Sequence, residues 1–145
     1  MKRIVVGISG ASGTHLACRF ISQLKQYTEC EVHVVVTDSG RLTASYEEPE
    51  LFEKALALAD TVHSNASLGE SIASGTFRTE GMVIIPCSMK TVAGIASGYS
   101  DNLLLRAADV TLKEQRPLVL VARETPMNAI HLRNLAQLAS VPGIT

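Results

Sequence analysis

Apolar residues are spaced along this chain in two ways that alternate. Ile4-Val5-Val6-Gly7-Ile8 is a short, largely β-branched run that ends in glycines, and Glu31 to Val36 holds the run Val-His-Val-Val-Val. Short continuous runs of this kind predict strands buried on both faces, as in a parallel sheet. Between them Leu16, Ala17, Phe20, Ile21 and Leu24 recur at helical spacing, which predicts a helix over His15 to Gln26. Strand, glycine turn, helix, strand is a βαβ unit.

The alternation continues to the end. Ser39 to Ala59 reads as helix interrupted near Pro49, Thr61 to Val62 as a short strand, and the Ser- and Gly-rich stretch Ser64 to Thr79 as loop. Met82 to Ile85 is a buried strand halted by Pro86, and Ser88 to Ala96 starts a helix. Asp101 to Glu114 is helical, with Asp101 or Asn102 as its cap. Leu118 to Ala122 is the next strand, and Pro126 to Ala139 a last helix with Pro near its first position. There is no internal repeat, linker or low-complexity tract. The pattern predicts one three-layer α/β domain, Rossmann/flavodoxin-like, with a parallel sheet. Ligands in such folds sit at the carboxyl ends of the strands. That rule selects the turns Ser9–Thr14, Thr37–Ser39, Pro86–Thr91 and Arg123–Pro126.

Composition narrows the function. With 145 residues, 46% hydrophobic and 19% charged, the chain can bury a real core without disulfides. A net charge of −1, 4% aromatics and no Trp argue against a nucleic-acid partner. No polybasic patch or membrane-length apolar run points to a membrane. Cys18, Cys30 and Cys87 are odd in number and form no C-x-x-C, so neither a disulfide framework nor a zinc site is expected. A soluble protein in a reducing, cytoplasmic setting is the expectation. His15, His33, His63 and His131 show no metal-ligand spacing and read as structural or surface residues.

The turns carry the candidate chemistry. Gly7-Ile8-Ser9-Gly10-Ala11-Ser12-Gly13 follows a strand and opens a helix, which suits an anion approached by main-chain N–H groups. Its G-x-x-G-x-x-G spacing is neither the dinucleotide fingerprint nor a Walker loop, and a ligand-free tight turn explains it equally well. Asp38, the acid an NAD site would want after the second strand, comes only after Thr37. In Pro86-Cys87-Ser88-Met89-Lys90-Thr91, hydroxyls and a cation surround a helix start, fitting a phosphate or the polar edge of a flavin; an ordinary Ser N-cap is the plainer reading. Cys87 has no His poised to activate it and reads as a buried thiol. Arg106 and Lys113 lie seven apart on one helix and could clamp a phosphate, or simply be solvated. Glu124, beside Arg123 at a strand end, could be a general acid if burial favoured its protonated form, or half of an ion pair.

Taken together these stretches resemble the UbiX/Pad-type flavin prenyltransferase family. The match is carried by Gly7 to Gly13, by Ile72-Ala73-Ser74-Gly75-Thr76-Phe77-Arg78-Thr79-Glu80-Gly81-Met82, and by Pro86 to Thr91. It continues through Asp101-Asn102-Leu103, Arg106-Ala107-Ala108-Asp109-Val110, Leu112-Lys113-Glu114, Arg123-Glu124-Thr125-Pro126 and His131-Leu132. The resemblance implies a flavodoxin-like flavoprotein that joins a dimethylallyl group from dimethylallyl phosphate to N5 and C6 of reduced FMN, without a metal. It implies that the prenylated FMN passes to a separate UbiD-type decarboxylase, and that the protein assembles as a homo-oligomer, a dodecamer in the family, with the flavin at subunit interfaces.

Residue by residue, the resemblance implies FMN contacts at Gly10, Ala11, Ser12, Thr37, Ser88, Met89, Lys90, Thr91 and Arg123. It implies proton handling by Ser12 and Glu47, phosphate binding by Arg106, Lys113 and Arg123, and proton delivery to the departing phosphate by Glu124. Glu47 also sits in an exposed-looking acidic run, Glu47-Glu48-Pro49-Glu50. After His131-Leu132-Arg133-Asn134-Leu135 the family continues into a Pro-Pro-x-Pro-Ala-Phe-Tyr-like segment and further helices, where this sequence has Ser140-Val141-Pro142-Gly143-Ile144-Thr145. The expectation is a single flavoprotein domain over residues 1–145 that lacks that segment, with its Tyr and basic residue for the prenyl phosphate. Two alternatives accompany the reading. One is an FMN-binding accessory subunit of an aromatic acid decarboxylase. The other is a flavin-dependent cysteine decarboxylase, whose Pro-x-Met-Asn signature is similar to Pro126-Met127-Asn128 but whose His has no counterpart in Ala73 to Gly81.

Overall fold

A computed structural model describes residues 1–145. Five strands form one parallel sheet: β1 (Arg3–Ile8), β2 (Glu31–Val36), β3 (Thr61–Ser64), β4 (Gly81–Cys87) and β5 (Leu118–Ala122), in the order β3-β2-β1-β4-β5. The helices are α1 (Thr14–Tyr27), α2 (Asp38–Glu47), α3 (Pro49–Leu58), α4 (Met89–Ser97), α5 (Leu103–Lys113) and α6 (Ala129–Ala139), with a short 3-10 turn at Ser71–Ala73. Alternate strand residues feed two cores. Val6, Ile8, Val32, Val34 and Val36 pack with Ala17, Cys18 and Ile21 of α1 and Phe52 of α3. Val5, Val35, Met82 and Ile84 pack on the other face with Val92 of α4 and Leu104 of α5. This is the three-layer α/β architecture that the sequence pattern predicts, with strands buried on both faces. No helix is long and apolar enough to cross a membrane.

Some details differ from the sequence pattern. Pro86 does not halt β4, which runs to Cys87. The ladder to β5 shifts register between Ile84 and Cys87, and such an irregularity is where a strand tolerates proline. The last helix starts at Ala129, not near Pro126, because Asn128 caps it. Its side chain accepts from His131 N–H at 2.8 Å, and His131 Nδ1 accepts from Asn128 N–H at 3.3 Å. Of the two candidate caps for α5, Asn102 is the one used: its Oδ1 accepts from Leu105 N–H at 2.9 Å. Pro49 does split the 39–59 stretch, as the first residue of α3. The chain order reverses between β1 and β4, so this crevice is the sheet's topological switch point.

Candidate functional site

At the carboxyl end of the sheet a cavity of about 680 Å³ opens among four helix N-termini. That volume lies within the usual range for small-molecule sites. Gly10 borders it from the first turn, Thr37, Asp38 and Ser39 from the second, Ser88, Lys90 and Thr91 from the third, and Asp101 and Asn102 from the start of α5. Three of the strand-end turns selected from the sequence thus converge on one space, whereas the Arg123–Pro126 turn does not border it.

The turns are held by local bonds. Thr37 caps α2, its hydroxyl accepting from Gly40 N–H at 2.9 Å. Gly40 must be glycine, since a Cβ there would stand 2.7 Å from the main-chain oxygen of Ile8. Gly10 abuts Ser39 in the same way, at 2.6 Å from its Cβ. Gly13 takes φ +120°, a conformation that excludes most side chains. Ser88 caps α4 by accepting from Thr91 N–H at 3.3 Å, and its hydroxyl donates to Thr91 Oγ1 at 3.1 Å.

Glu47, exposed at the end of α2, reaches back to the first turn. Its Oε1 accepts from Gly13 N–H at 3.1 Å, Thr14 N–H at 3.2 Å and Thr14 Oγ1 at 3.0 Å. The amide bond from Gly13, then that from Thr14, hold its carboxyl below the ordinary range, and Ser12 adds to the effect. Glu47 is therefore a charged acceptor fixed against the N-terminus of α1. Five N–H groups of the two turns, those of Gly10, Ala11, Ser12, Met89 and Lys90, have no acceptor within the chain. Two adjacent rows of free amides beside a lysine and several hydroxyls form a donor set suited to a phosphorylated ligand with a polar ring edge, which is the chemistry of FMN.

Met89 is itself buried in the core, so it can offer a ligand little beyond its main chain. Arg123 is exposed at the end of β5, its N–H donating to Cys87 O at 3.2 Å. Glu124 makes no ion pair with it; the Glu124 carboxylate instead accepts from Thr125 N–H at 3.1 Å. Arg106 and Lys113 are exposed on α5 and do not border the cavity. Because α5 runs against the strands, Lys113 lies at the opposite end of the sheet. There it lines an open, wholly polar hollow of about 860 Å³ with Arg78, Glu80, Glu114 and Arg116. That hollow is larger but has no hydrophobic lining residue and lies away from the strands' carboxyl ends, so the cavity at the carboxyl end is the better ligand site. Burial pushes the Cys87 thiol up to about 12, which fits a structural role.

Asn65, at this end of the sheet, escaped the sequence pattern, and Ser9 entered it only as part of the first turn. Asn65, just past β3, borders the cavity and caps α5 from outside: its Oδ1 accepts from Leu104 N–H at 2.8 Å and its carbonyl from Leu103 N–H at 3.0 Å. Its signal was a polar residue directly after a strand, hidden because β3 is so short. Ser9 is buried between the first and third turns. Elsewhere, His33 and His63 form a buried pair, which makes them structural, one of the two readings given to the histidines.

Residues 1–145 match the family described as Flavoprotein. Flavin prenyltransferase LpdB of Lactiplantibacillus plantarum is 52% identical over 141 residues, which is 97% of this chain and 75% of that protein. Flavin prenyltransferase UbiX of Escherichia coli K12 is 48% identical over 144 residues, 99% of this chain and 76% of its own. Among solved structures, a dodecameric FMN-dependent UbiX-like decarboxylase from Escherichia coli O157:H7 superposes with a TM-score of 0.93 at 43% identity, covering 98% of this chain and 78% of its own. A UbiX protein in complex with FMN and dimethylallyl pyrophosphate gives 0.94 at 43% identity, covering 99% and 76%. The peptidyl-cysteine decarboxylase EpiD, at 17% identity and a TM-score of 0.71 over 100% of this chain and 86% of its own, shares the fold.

Proposed function

We propose that this chain, which belongs to the flavoprotein family and within it to the UbiX-like flavin prenyltransferases, joins a dimethylallyl group from dimethylallyl phosphate to reduced FMN in the cavity at the β1/β4 switch point. The observation that carries this reading is a pair of turns that hold five unpartnered N–H groups and border that cavity through Gly10 on one side and Ser88, Lys90 and Thr91 on the other. Gly10, Ala11 and Ser12 would hold the flavin from one side, and Ser88, Met89, Lys90 and Thr91 from the other, with Thr37 as a further contact; Arg123, whose turn does not border this cavity, would add its contact from a neighbouring copy. When bound, reduced FMN supplies the nucleophile.

The chain's own residues supply the rest. Ser12 and Glu47 handle the proton released as the new bonds form; the amide partners of Glu47 keep it charged and so favour its passing a proton on over holding one. Arg106, Lys113 and Arg123 neutralise the charge that the phosphate gains as its carbon–oxygen bond breaks, and Glu124 delivers a proton to it. Arg106 and Lys113 stand outside the cavity of their own chain, so they would reach the cavity of a neighbouring copy. A homo-oligomer follows from this, in keeping with the dodecameric relative. The product would serve a UbiD-type decarboxylase in the cytoplasm. The cysteine decarboxylases with this fold are distant, at 15% and 18% identity for two of them, and do not favour that alternative. The test is anaerobic incubation with reduced FMN and dimethylallyl phosphate, with the diphosphate in parallel, and mass analysis of the extracted flavin. A flavin heavier by one prenyl unit is expected. Unmodified FMN that remains bound would favour the accessory-subunit alternative.

A further inference from the structure

We propose that Ser9 is a positioning residue whose buried hydroxyl ties the turn after β4 to the turn after β1 and so fixes the start of α4, which carries the free amides of Met89 and Lys90 and borders the cavity through Ser88, Lys90 and Thr91. The inference rests on the reading of that cavity as an FMN site. The ladder between β1 and β4 is registered from Ile4↔Gly81 to Gly7↔Ile84. Extending it would bring Ser9 opposite Pro86, which has no N–H to give. A side chain takes over there. Ser9 is 2% exposed; its Oγ donates to Pro86 O at 2.7 Å and accepts from Ser88 N–H at 2.8 Å, while its own N–H reaches Pro86 O at 3.2 Å.

The bond to Ser88 sorts the donors of the first turn of α4. Ser88 N–H is consumed by Ser9 and Thr91 N–H by the Ser88 hydroxyl, so Met89 and Lys90 are the two left for a ligand. Loss of the Ser9 hydroxyl would leave Ser88 N–H without its partner and free the helix start to turn away from the glycine turn. A buried donor without a partner is unfavourable, so the helix start would shift to satisfy it. The hydroxyl thus acts on the ligand through Ser88 rather than by touching it.

The test compares FMN dissociation constants, read by flavin fluorescence, for the wild-type chain, Ser9→Ala, Ser9→Thr and Ser9→Val. Threonine and valine share a shape and differ by the hydroxyl. Thr111→Ala is the matched control: it removes a hydroxyl from a residue 4% exposed, bonded to Ala107 O at 2.7 Å, on α5. Ser9→Ala and Ser9→Val should weaken FMN about tenfold, the weight of one buried hydrogen bond, while Ser9→Thr and Thr111→Ala stay near wild type. Equal FMN binding by Ser9→Ala and wild type overturns the inference alone. A wild-type chain that binds no FMN overturns the reading of the cavity and this inference with it. If the hydroxyl-free variants do not fold, amide exchange in the wild-type chain without FMN decides. A Ser88 amide as protected as those of β4 supports the tie, and one that exchanges freely overturns it.

Discussion

Stability should fall as pH drops through about 6.5, and the fall should trace to His63, one of a buried pair of histidines. His33 and His63 are each 4% exposed and stack with ring centroids 5.2 Å apart. His33 Nδ1 lies 2.9 Å from His63 Nε2, and His33 Nε2 lies 2.6 Å from Glu31 Oε1. His33 Nε2–H donates to the Glu31 carboxylate, and a single N–H lies between His33 Nδ1 and His63 Nε2. Glu70 Oε2, 3.7 Å from His63 Nδ1, is the nearest counter-charge for an added proton. Phe77 meets His33 edge-on at 5.1 Å, and Arg3, over the Phe77 ring at 4.2 Å, adds positive charge nearby. Burial first, and the charge His33 would carry second, pull the pKa of His63 below its ordinary value. The unfolded chain therefore takes up a proton near pH 6.5 while the folded chain still refuses it. Across that window stability is lost as pH falls, at up to about 1.4 kcal/mol per pH unit, and the loss levels off once the folded ring is also protonated. Urea denaturation at successive pH values measures it, with His63→Gln as the reference. Glu31, Glu47 and Asp60 are held below the carboxylate range by hydrogen bonds from His33, from the Gly13 amide and from Lys25 respectively. Their contributions are lost only toward acid pH, below about 4.5, outside this window. A flat wild-type profile, or an equal slope in His63→Gln, would refute the reasoning.

Other substitutions probe the site's frame. Gly40→Ala puts a Cβ 2.7 Å from the Ile8 main-chain oxygen, which cannot swing aside, and should cost about 1–3 kcal/mol in a thermal melt. Glu47→Ala removes the acceptor shared by Gly13 and Thr14 and should cost about 1 kcal/mol, as a lost N-terminal cap does, with Glu47→Gln recovering part of it by chemical denaturation. Cys87, buried with its thiol pushed up to about 12, should resist alkylation at mildly alkaline pH until the chain unfolds, as mass spectrometry of labelled peptides would record.

The central strands were legible because burial on both faces leaves nearly continuous apolar runs, as in Ile4 to Val6 and Val34 to Val36. Helix α1 was legible from a single apolar stripe. Pro86 misled because proline usually ends a central strand, and the register shift that accommodates it leaves no mark in the residues around it. The start of α6 was hidden because Pro126 looks like a first helical residue, whereas the reciprocal bonds of Asn128 and His131 decide the boundary. Within the site, glycines and hydroxyls at strand ends marked the mouth of the cavity. The remoteness of Lys113 from that mouth depends on the direction of α5, which spacing along one helix face does not report. Ser9 and the His33–His63 pair join residues 79 and 30 positions apart in their bonds, and nothing local announces such partners.

The central claim is that FMN rests on the amides of two turns across the β1/β4 switch point. Amide hydrogen exchange of the full chain, with and without FMN, tests it most directly. FMN should slow exchange at Gly10, Ala11, Ser12, Met89 and Lys90, with little change around the polar hollow at Lys113 and Arg116. Slowing confined to that hollow, or no slowing at the two turns while FMN is bound, would contradict it.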